Sequence, residues 1–250
     1  MRCCFITLGC RVNQYESDAM AELLTQAGFE ITENPSEADV CIVNTCTVTN
    51  IADRKSRQML SKAHKLNPNA KLIAAGCFAQ RSPEAAAKLE GVYAVLGSAD
   101  KNRVVELVKS IAEGRENESK SEKCNCGEKE LCDCCGGMKK FEQPENSECS
   151  GNAAGGTKIL VRDVMHEHEF EEMSAVHEGR TRAYLKIQDG CNMFCTYCAI
   201  PYARGGLRSR SIESVRAEAE KLNNEGFSEV VLTGIHLMSY GRDLHSGTDI

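Results

Sequence analysis

Three cysteines, Cys191, Cys195 and Cys198, stand in the stretch Asp189-Gly190-Cys191-Asn192-Met193-Phe194-Cys195-Thr196-Tyr197-Cys198, spaced C-x3-C-x2-C after the strand-like run Tyr184 to Gln188. Thiolates that close together can share a metal. A cubane iron–sulfur cluster takes four ligands, so a set of three leaves one iron open to a substrate or cofactor. The same spacing admits a structural zinc site or plain buried thiols. A compact zinc site would carry a fourth Cys or His close by, and Ala199-Ile200-Pro201-Tyr202 offers none.

A second set depends on the elements that position it. Residues 1 to 114 read as alternating strands and helices. Arg2 to Leu8 is a β-like run, followed by an amphipathic helix over Glu16 to Ala27, with apolar positions at Ala19, Met20, Leu23, Leu24 and Ala27. Gly28 stops it. Strands follow at Phe29 to Thr32, Val40 to Asn44, Lys71 to Ala75 and Tyr93 to Leu96. Helices are expected over Ile51 to Leu66, from Pro83, and over Asn102 to Glu113. Alternation of this kind predicts a doubly wound, mostly parallel α/β sheet. Cys10, Cys46 and Cys77 each follow the carboxyl end of a strand, the edge where open α/β sheets bind ligands. Topology would bring these three together as another tripod, unless their placement among fifteen cysteines is chance. Cys3, Cys4 and Cys41 lie inside strands and read as core residues.

Composition sets the setting. The chain has 250 residues, 26% charged and 42% hydrophobic, with a formal net charge of −6. Met1 to Leu8 lacks the length and cleavage site of a secretory signal, and no run approaches a membrane span. The expectation is a cytoplasmic, reducing compartment with no membrane partner, where thiols hold metals more often than disulfides. The negative charge is uneven: Glu113 to Glu148 holds ten acids against six bases, whereas Asp53 to Lys71 sets one acid against six. The second segment is either a basic patch for nucleic acid or a solvated helix face.

Residues 115 to 156 lose periodicity and read as a linker or insertion. It carries Cys124, Cys126, Cys132, Cys134, Cys135 and Cys149, spaced too irregularly for a zinc ribbon. A small thiolate metal knot, redox-active cysteines and simply flexible cysteines all fit. Order resumes over 157 to 250, with Ile159 to Val161 as a strand candidate and a polar stretch from His166 to Arg182 whose histidines read as solvated. The cysteine loop, a helix over Ser211 to Asn224 and a strand over Glu229 to Thr233 complete the opening of a βα barrel.

A strand, a C-x3-C-x2-C loop with an aromatic before its third cysteine, then helix and strand, resembles the radical S-adenosylmethionine superfamily. Thr7-Leu8-Gly9-Cys10-Arg11-Val12-Asn13-Gln14-Tyr15-Glu16-Ser17, Asn44-Thr45-Cys46-Thr47-Val48-Thr49, Ala75-Gly76-Cys77-Phe78-Ala79-Gln80 and Arg180 to Cys191 narrow the resemblance to its methylthiotransferases. The wording is most similar to the branch that acts on threonylcarbamoyladenosine in tRNA.

This resemblance implies two 4Fe-4S clusters. Cys10, Cys46 and Cys77 would hold an auxiliary one, and Cys191, Cys195 and Cys198 the one that chelates S-adenosylmethionine and cleaves it to methionine and a 5′-deoxyadenosyl radical. Two S-adenosylmethionines, an electron donor of flavodoxin or ferredoxin type and a tRNA partner follow, with a methylthio group placed on carbon 2 of the adenosine at position 37. Tyr197 would help form the adenine pocket. Thr233 and Gly234 would sit near the methionine amino group, although the acidic residue that often follows there is missing, Ile235 standing next. For RNA, Arg54, Arg57, Arg204, Arg208 and Arg210 are candidates for phosphate contact, and Phe194 or Tyr202 for base stacking. The family continues through a six-stranded partial barrel and a β-rich RNA-binding domain. The chain is therefore expected to be a fragment with a truncated barrel that does not turn over alone. Methylthiolation of a ribosomal-protein aspartate, or a non-catalytic iron–sulfur role, are the competing readings.

Overall fold

A computed structural model describes residues 1–114, 157–175 and 181–244. The first module is a six-stranded parallel sheet in the order β2-β1-β3-β4-β5-β6, made of β1 (Arg2–Thr7), β2 (Glu30–Ile31), β3 (Val40–Thr45), β4 (Lys71–Gly76), β5 (Val92–Leu96) and β6 (Lys158–Leu160). The central strands are short apolar runs because both of their faces are covered, and all six residues of β3 are buried.

Helices cover the two faces. α1 (Arg11–Gln26) and α5 (Val104–Ala112) pack Tyr15, Leu24, Leu107 and Val108 on one side. α2 (Asn50–Leu66), α3 (Cys77–Arg81) and α4 (Pro83–Ala87) place Leu60, Phe78 and Ala86 on the other. Thr49 starts α2 by accepting the Ala52 N–H at 3.1 Å, the side-chain cap that leaves one fewer backbone donor unpaired. The strand order runs outward from β1 in one direction and from β3 in the other, so the switch point falls between them, beside Cys10 and Cys46.

Two boundaries differ from the sequence expectation. α1 begins at Arg11 rather than Glu16, because its first turns bury Asn13, Glu16 and Ser17. Those polar residues are invisible to a search for an apolar stripe. β6 pairs with β5 and completes the first sheet, so residues 158–160 belong there and do not open the second module. The inserted cysteines between 124 and 149 lie outside the described residues.

In the second module, β7 (Ala183–Lys186) pairs in parallel with β10 (Val230–Thr233) across the helix α7 (Ile212–Asn224), around Leu185, Ile187, Leu222 and Tyr240. The run expected as one strand breaks at Ile187: β8 (Gln188–Asp189) turns to pair antiparallel with β9 (Arg208–Ser209). The short helix α6 (Ile200–Arg204) lies between them and packs on α3 of the first module.

Candidate metal and cofactor centre

The first cysteine set is assembled from three strand ends. Asn13 in α1 ties two of them, donating to the Leu8 carbonyl at 2.8 Å and to the Thr45 carbonyl at 3.0 Å. The Ser56 hydroxyl clamps the Cys46 peptide, accepting its N–H at 3.1 Å and donating to its carbonyl at 2.8 Å. Gly9 has φ +101°, and a Cβ there would stand 2.9 Å from the Cys46 Sγ, so the turn carrying Cys10 closes directly on Cys46. Gly76 has φ +87°, where a Cβ would meet the Asn44 Oδ1 at 2.3 Å; this turn delivers Cys77 as the first residue of α3. Cys10 is exposed, whereas Cys46 and Cys77 are buried, and all three are free thiols. Burial pushes the Cys77 thiol up from its ordinary value. The Arg204 guanidinium and the Lys101 ammonium pull it down, and Cys10 acts on it as a neighbouring charge. Cys3, by contrast, is a core thiol pushed up to about 11, chiefly by burial.

Among the described residues no three His, Cys, Asp or Glu groups gather as they would around one metal ion. The three thiols leave the ends of neighbouring strands on one edge of the sheet, and the turns at Gly9 and Gly76 bring the backbone close to Cys46 and Asn44. The donor set is all sulfur, which selects iron–sulfur clusters or soft metals over carboxylate-binding ions.

The second set lies on a loop that leaves β8 through Gly190. A Cβ on Gly190 would stand 1.7 Å from the Gly206 carbonyl oxygen, so only glycine permits this crossing. The Cys191 N–H donates to the Gly205 carbonyl at 3.1 Å, and the Cys198 N–H to the Cys195 carbonyl at 2.9 Å. Asn192 Oδ1 accepts the Leu207 N–H at 2.9 Å, holding the loop from its far side. Phe194, at φ +45°, is the one non-glycine residue in the left-handed region among the described residues. Cys195 is exposed and Cys191 and Cys198 are half-buried.

The second set borders, through Cys198, a cavity of about 370 Å³. Thr47, Val48, Thr49 and Asn50, directly after Cys46, line one wall; Thr196, Tyr197, Cys198, Ala199 and Tyr202 line the other, and Arg81 adds a cation. Tyr197 is 89% exposed, and Phe194 stands edge-on to Tyr202 at 6.3 Å between ring centroids. Thr233, buried, ends β10, and a Cβ on Gly234, which follows it, would stand 2.9 Å from the Gln188 Oε1.

Between the two modules lies a group that the sequence reading did not assemble. Arg204 reaches into the first module, donating from Nη1 to Glu16 Oε1 at 2.8 Å and from Nη2 to Glu16 Oε2 at 3.0 Å and Asn13 Oδ1 at 2.6 Å. It also donates to Asp189 Oδ1 at 3.0 Å. Lys186 bridges Glu16 at 2.8 Å and Asp189 at 2.6 Å, and Lys101 meets Glu16 at 3.2 Å. Burial opposes the charges of Glu16, Asp189 and Lys186, yet the surrounding cations hold both carboxyls well below their usual range and the carboxylates hold Lys186 above its own. The available signal was a lysine within the strand run Tyr184-Leu185-Lys186-Ile187, since a charge is rarely fully buried unless paired.

This group corrects three expected RNA contacts. Arg204 is fully buried, and Arg208 and Arg210 are 4% exposed. Arg208 donates to the Arg204 carbonyl at 2.7 Å, and Arg210 pairs with Glu172 at 2.8 Å and Glu218 at 3.6 Å. These arginines are spent on folding the cysteine loop against its neighbours and do not face a phosphate. Arg54 and Arg57 are exposed on α2, and Arg57 also lies over the Phe78 ring at 5.3 Å and pairs with Asp53 at 3.8 Å.

Residues 2–97 match the family described as Uncharacterized protein family UPF0004, and residues 185–243 match the Radical SAM superfamily. The chain is 38% identical over 241 residues to a threonylcarbamoyladenosine tRNA methylthiotransferase, MtaB, of Bacillus subtilis, covering 96% of this chain and 45% of that protein. It is 32% identical over 240 residues to a ribosomal protein uS12 methylthiotransferase, RimO, of Chloroflexus aurantiacus, covering 96% and 47%. The chain thus spans about half the length of these curated relatives. In fold it resembles TsrM of Kitasatospora setae, a radical S-adenosylmethionine methyltransferase, with a TM-score of 0.55 at 16% identity, over 94% of this chain and 48% of that one. Among the described residues no helix is long and apolar enough to cross a membrane.

Proposed function

Because the chain joins a UPF0004 domain to a Radical SAM domain, we propose that it forms the cluster-bearing half of a tRNA methylthiotransferase. Its substrate is threonylcarbamoyladenosine at position 37, modified at carbon 2. One observation carries the reading: the residues that directly follow Cys46 and those of the Cys191 to Cys198 loop, Cys198 among them, line a single cavity. Cys10, Cys46 and Cys77 would hold an auxiliary 4Fe-4S cluster, and Cys191, Cys195 and Cys198 a second that binds S-adenosylmethionine. When bound, such open-iron clusters supply one-electron reduction and a site for sulfur.

The residues of the chain bind and enclose. Carbon 2 of a purine carries no acidic hydrogen, so general acid–base groups would not help there. Among the described residues, the cavity lining has neither a carboxylate nor a histidine. It offers the hydroxyls of Thr47, Thr49 and Thr196 and the rings of Tyr197 and Tyr202, which suit hydrogen bonding and stacking of a nucleoside, and Arg81, which suits a carboxylate or phosphate. Tyr197 would contact the adenine of a bound S-adenosylmethionine, and Thr233 and Gly234 its methionine end. The exposed bases of α2, Arg54 and Arg57 among them, extend from the cavity rim at Asn50 and take the RNA backbone. A reduced flavodoxin or ferredoxin supplies the electron.

The similarity to RimO favours a second reading, with an aspartate of a ribosomal protein in the same cavity and its carboxylate on Arg81. The deciding experiment offers the reconstituted whole protein tRNA bearing threonylcarbamoyladenosine, and separately ribosomal protein uS12, with reductant and S-adenosylmethionine. Mass spectrometry should find the methylthio group on the nucleoside. Modification of the protein alone would establish the second reading, and modification of neither would refute both.

A further inference from the structure

The pairing of β7 with β10 ends where the Ile187 N–H donates to the Thr233 carbonyl at 3.0 Å. Beyond that bond the two chains part, β8 turning to β9 while Gly234 to His236 lead away from β10. One side chain crosses the fork. Gln188, fully buried, donates from Nε2 to the Asp189 and Gly190 carbonyls, each at 2.6 Å, and its Oε1 accepts the His236 N–H at 2.7 Å. Both amide hydrogens and the amide oxygen are thus spent on main-chain groups, two directly before Cys191 and one two residues after Gly234. The amide has one orientation, because turning it over would set its oxygen against two carbonyls and its nitrogen against an N–H. Gly234 leaves room for it: a Cβ there would also stand 3.0 Å from the Gln188 Cβ. The neighbouring Asp189 carboxylate is already engaged, by the Gly190 N–H at 2.8 Å, by Lys186 and by Arg204.

We propose that Gln188 is a positioning residue for S-adenosylmethionine: by tying the stretch after β10 to the start of the Cys191 to Cys198 loop, it fixes the gap that the cofactor spans. The inference rests on the assignment of that cofactor to the second cysteine set, with Thr233 and Gly234 beside it. A ligand anchored on the loop at one end and on the end of β10 at the other feels any change in the distance between them. A cluster held by Cys191, Cys195 and Cys198 needs the loop alone. Loss of the clamp therefore lowers cofactor affinity and spares cluster retention, whereas general damage to the fold lowers both. Partners that orient a binding group without touching the ligand are worth about 10–100-fold in affinity or activity, and leucine at 188 would leave three main-chain groups without this partner.

The test uses the whole protein carrying Cys10→Ala, Cys46→Ala and Cys77→Ala, so that bound iron reports the second set alone. After anaerobic reconstitution the iron is counted, and equilibrium dialysis against S-adenosylmethionine gives its Kd. Gln188→Leu should weaken binding at least about tenfold while keeping the parent's iron. Hydrogen exchange at the His236 amide should quicken in the same variant, marking that the fork has opened. Gln188→Asn keeps the amide but is one methylene shorter, so it serves one side of the fork only; it should weaken binding by a smaller factor, and it carries the test if Gln188→Leu does not fold. Binding as tight as the parent's in a variant that keeps its iron, unchanged exchange at His236, or iron lost in step with binding in both variants would overturn the inference and leave the cofactor assignment standing. A parent that holds no iron, or holds it without binding S-adenosylmethionine, would overturn both.

Discussion

The two cysteine sets solve one problem in opposite ways. Cys10, Cys46 and Cys77 come from strand ends tens of residues apart, are fixed by Asn13, Ser56 and two left-handed glycines, and are mostly buried. Cys191, Cys195 and Cys198 sit within eight residues on an outward loop fixed by a few backbone bonds. The first arrangement belongs to the sheet and survives only as long as the sheet does. The second is local, and its surroundings decide what can reach it. The buried charges of Glu16, Lys186, Asp189 and Arg204 join the two, so that neither is independent of the other's position.

The largest expected effect tests that joint. Glu16→Ala strands Lys101, Lys186 and Arg204 without their shared carboxylate and should cost about 3–5 kcal/mol in denaturant unfolding, the usual scale for breaking a buried pair. The same carboxylate has a pH signature. Its folded value is depressed, so its stabilisation is complete above the ordinary carboxylate value near 4 and is lost as pH falls below that. Acid titration of the unfolding free energy should therefore fall less steeply in Glu16→Gln than in the parent. Equal slopes would place the acid sensitivity elsewhere.

Exposure gives an intermediate test. In the metal-free chain an alkylating reagent should reach Cys195 and Cys10 at least about tenfold faster than Cys77, which opens only with its sheet. Mass spectrometry of the labelled peptides reads the order, and equal rates would erase the contrast between the exposed and the buried thiols. The smallest effect is expected at Phe194. Glycine adopts its φ of +45° freely, so Phe194→Gly should stabilise the loop by about 1 kcal/mol and leave the labelling of Cys77 unchanged.

How much of this was legible in the sequence divides along the same line. The spacing of the loop set was visible in the sequence, and the strand ends that carry Cys10, Cys46 and Cys77 could be placed because β1, β3 and β4 are apolar runs bounded by glycine and cysteine. β6 was misplaced because three residues carry no register, and only pairing with β5 assigns them. Arg204, Arg208 and Arg210 looked like a basic surface motif because adjacency in sequence says nothing about which side of a loop faces inward. Their partners, Glu16 and Glu218, are 188 and 8 residues away from Arg204 and Arg210 respectively, and only folding brings the distant one into reach. The buried polar turn of α1 was missed for a related reason: its burial is repaid by charge pairing and hydrogen bonds, which hydrophobic periodicity cannot register.

The central claim, two separate thiolate sites, is tested most directly by counting iron and sulfide after anaerobic reconstitution of the chain and of two triple variants, one for each set. Each variant, Cys10→Ala with Cys46→Ala and Cys77→Ala, or Cys191→Ala with Cys195→Ala and Cys198→Ala, should hold about four irons fewer than the parent. Complete loss of iron from either variant, or an unchanged count in either, would contradict it.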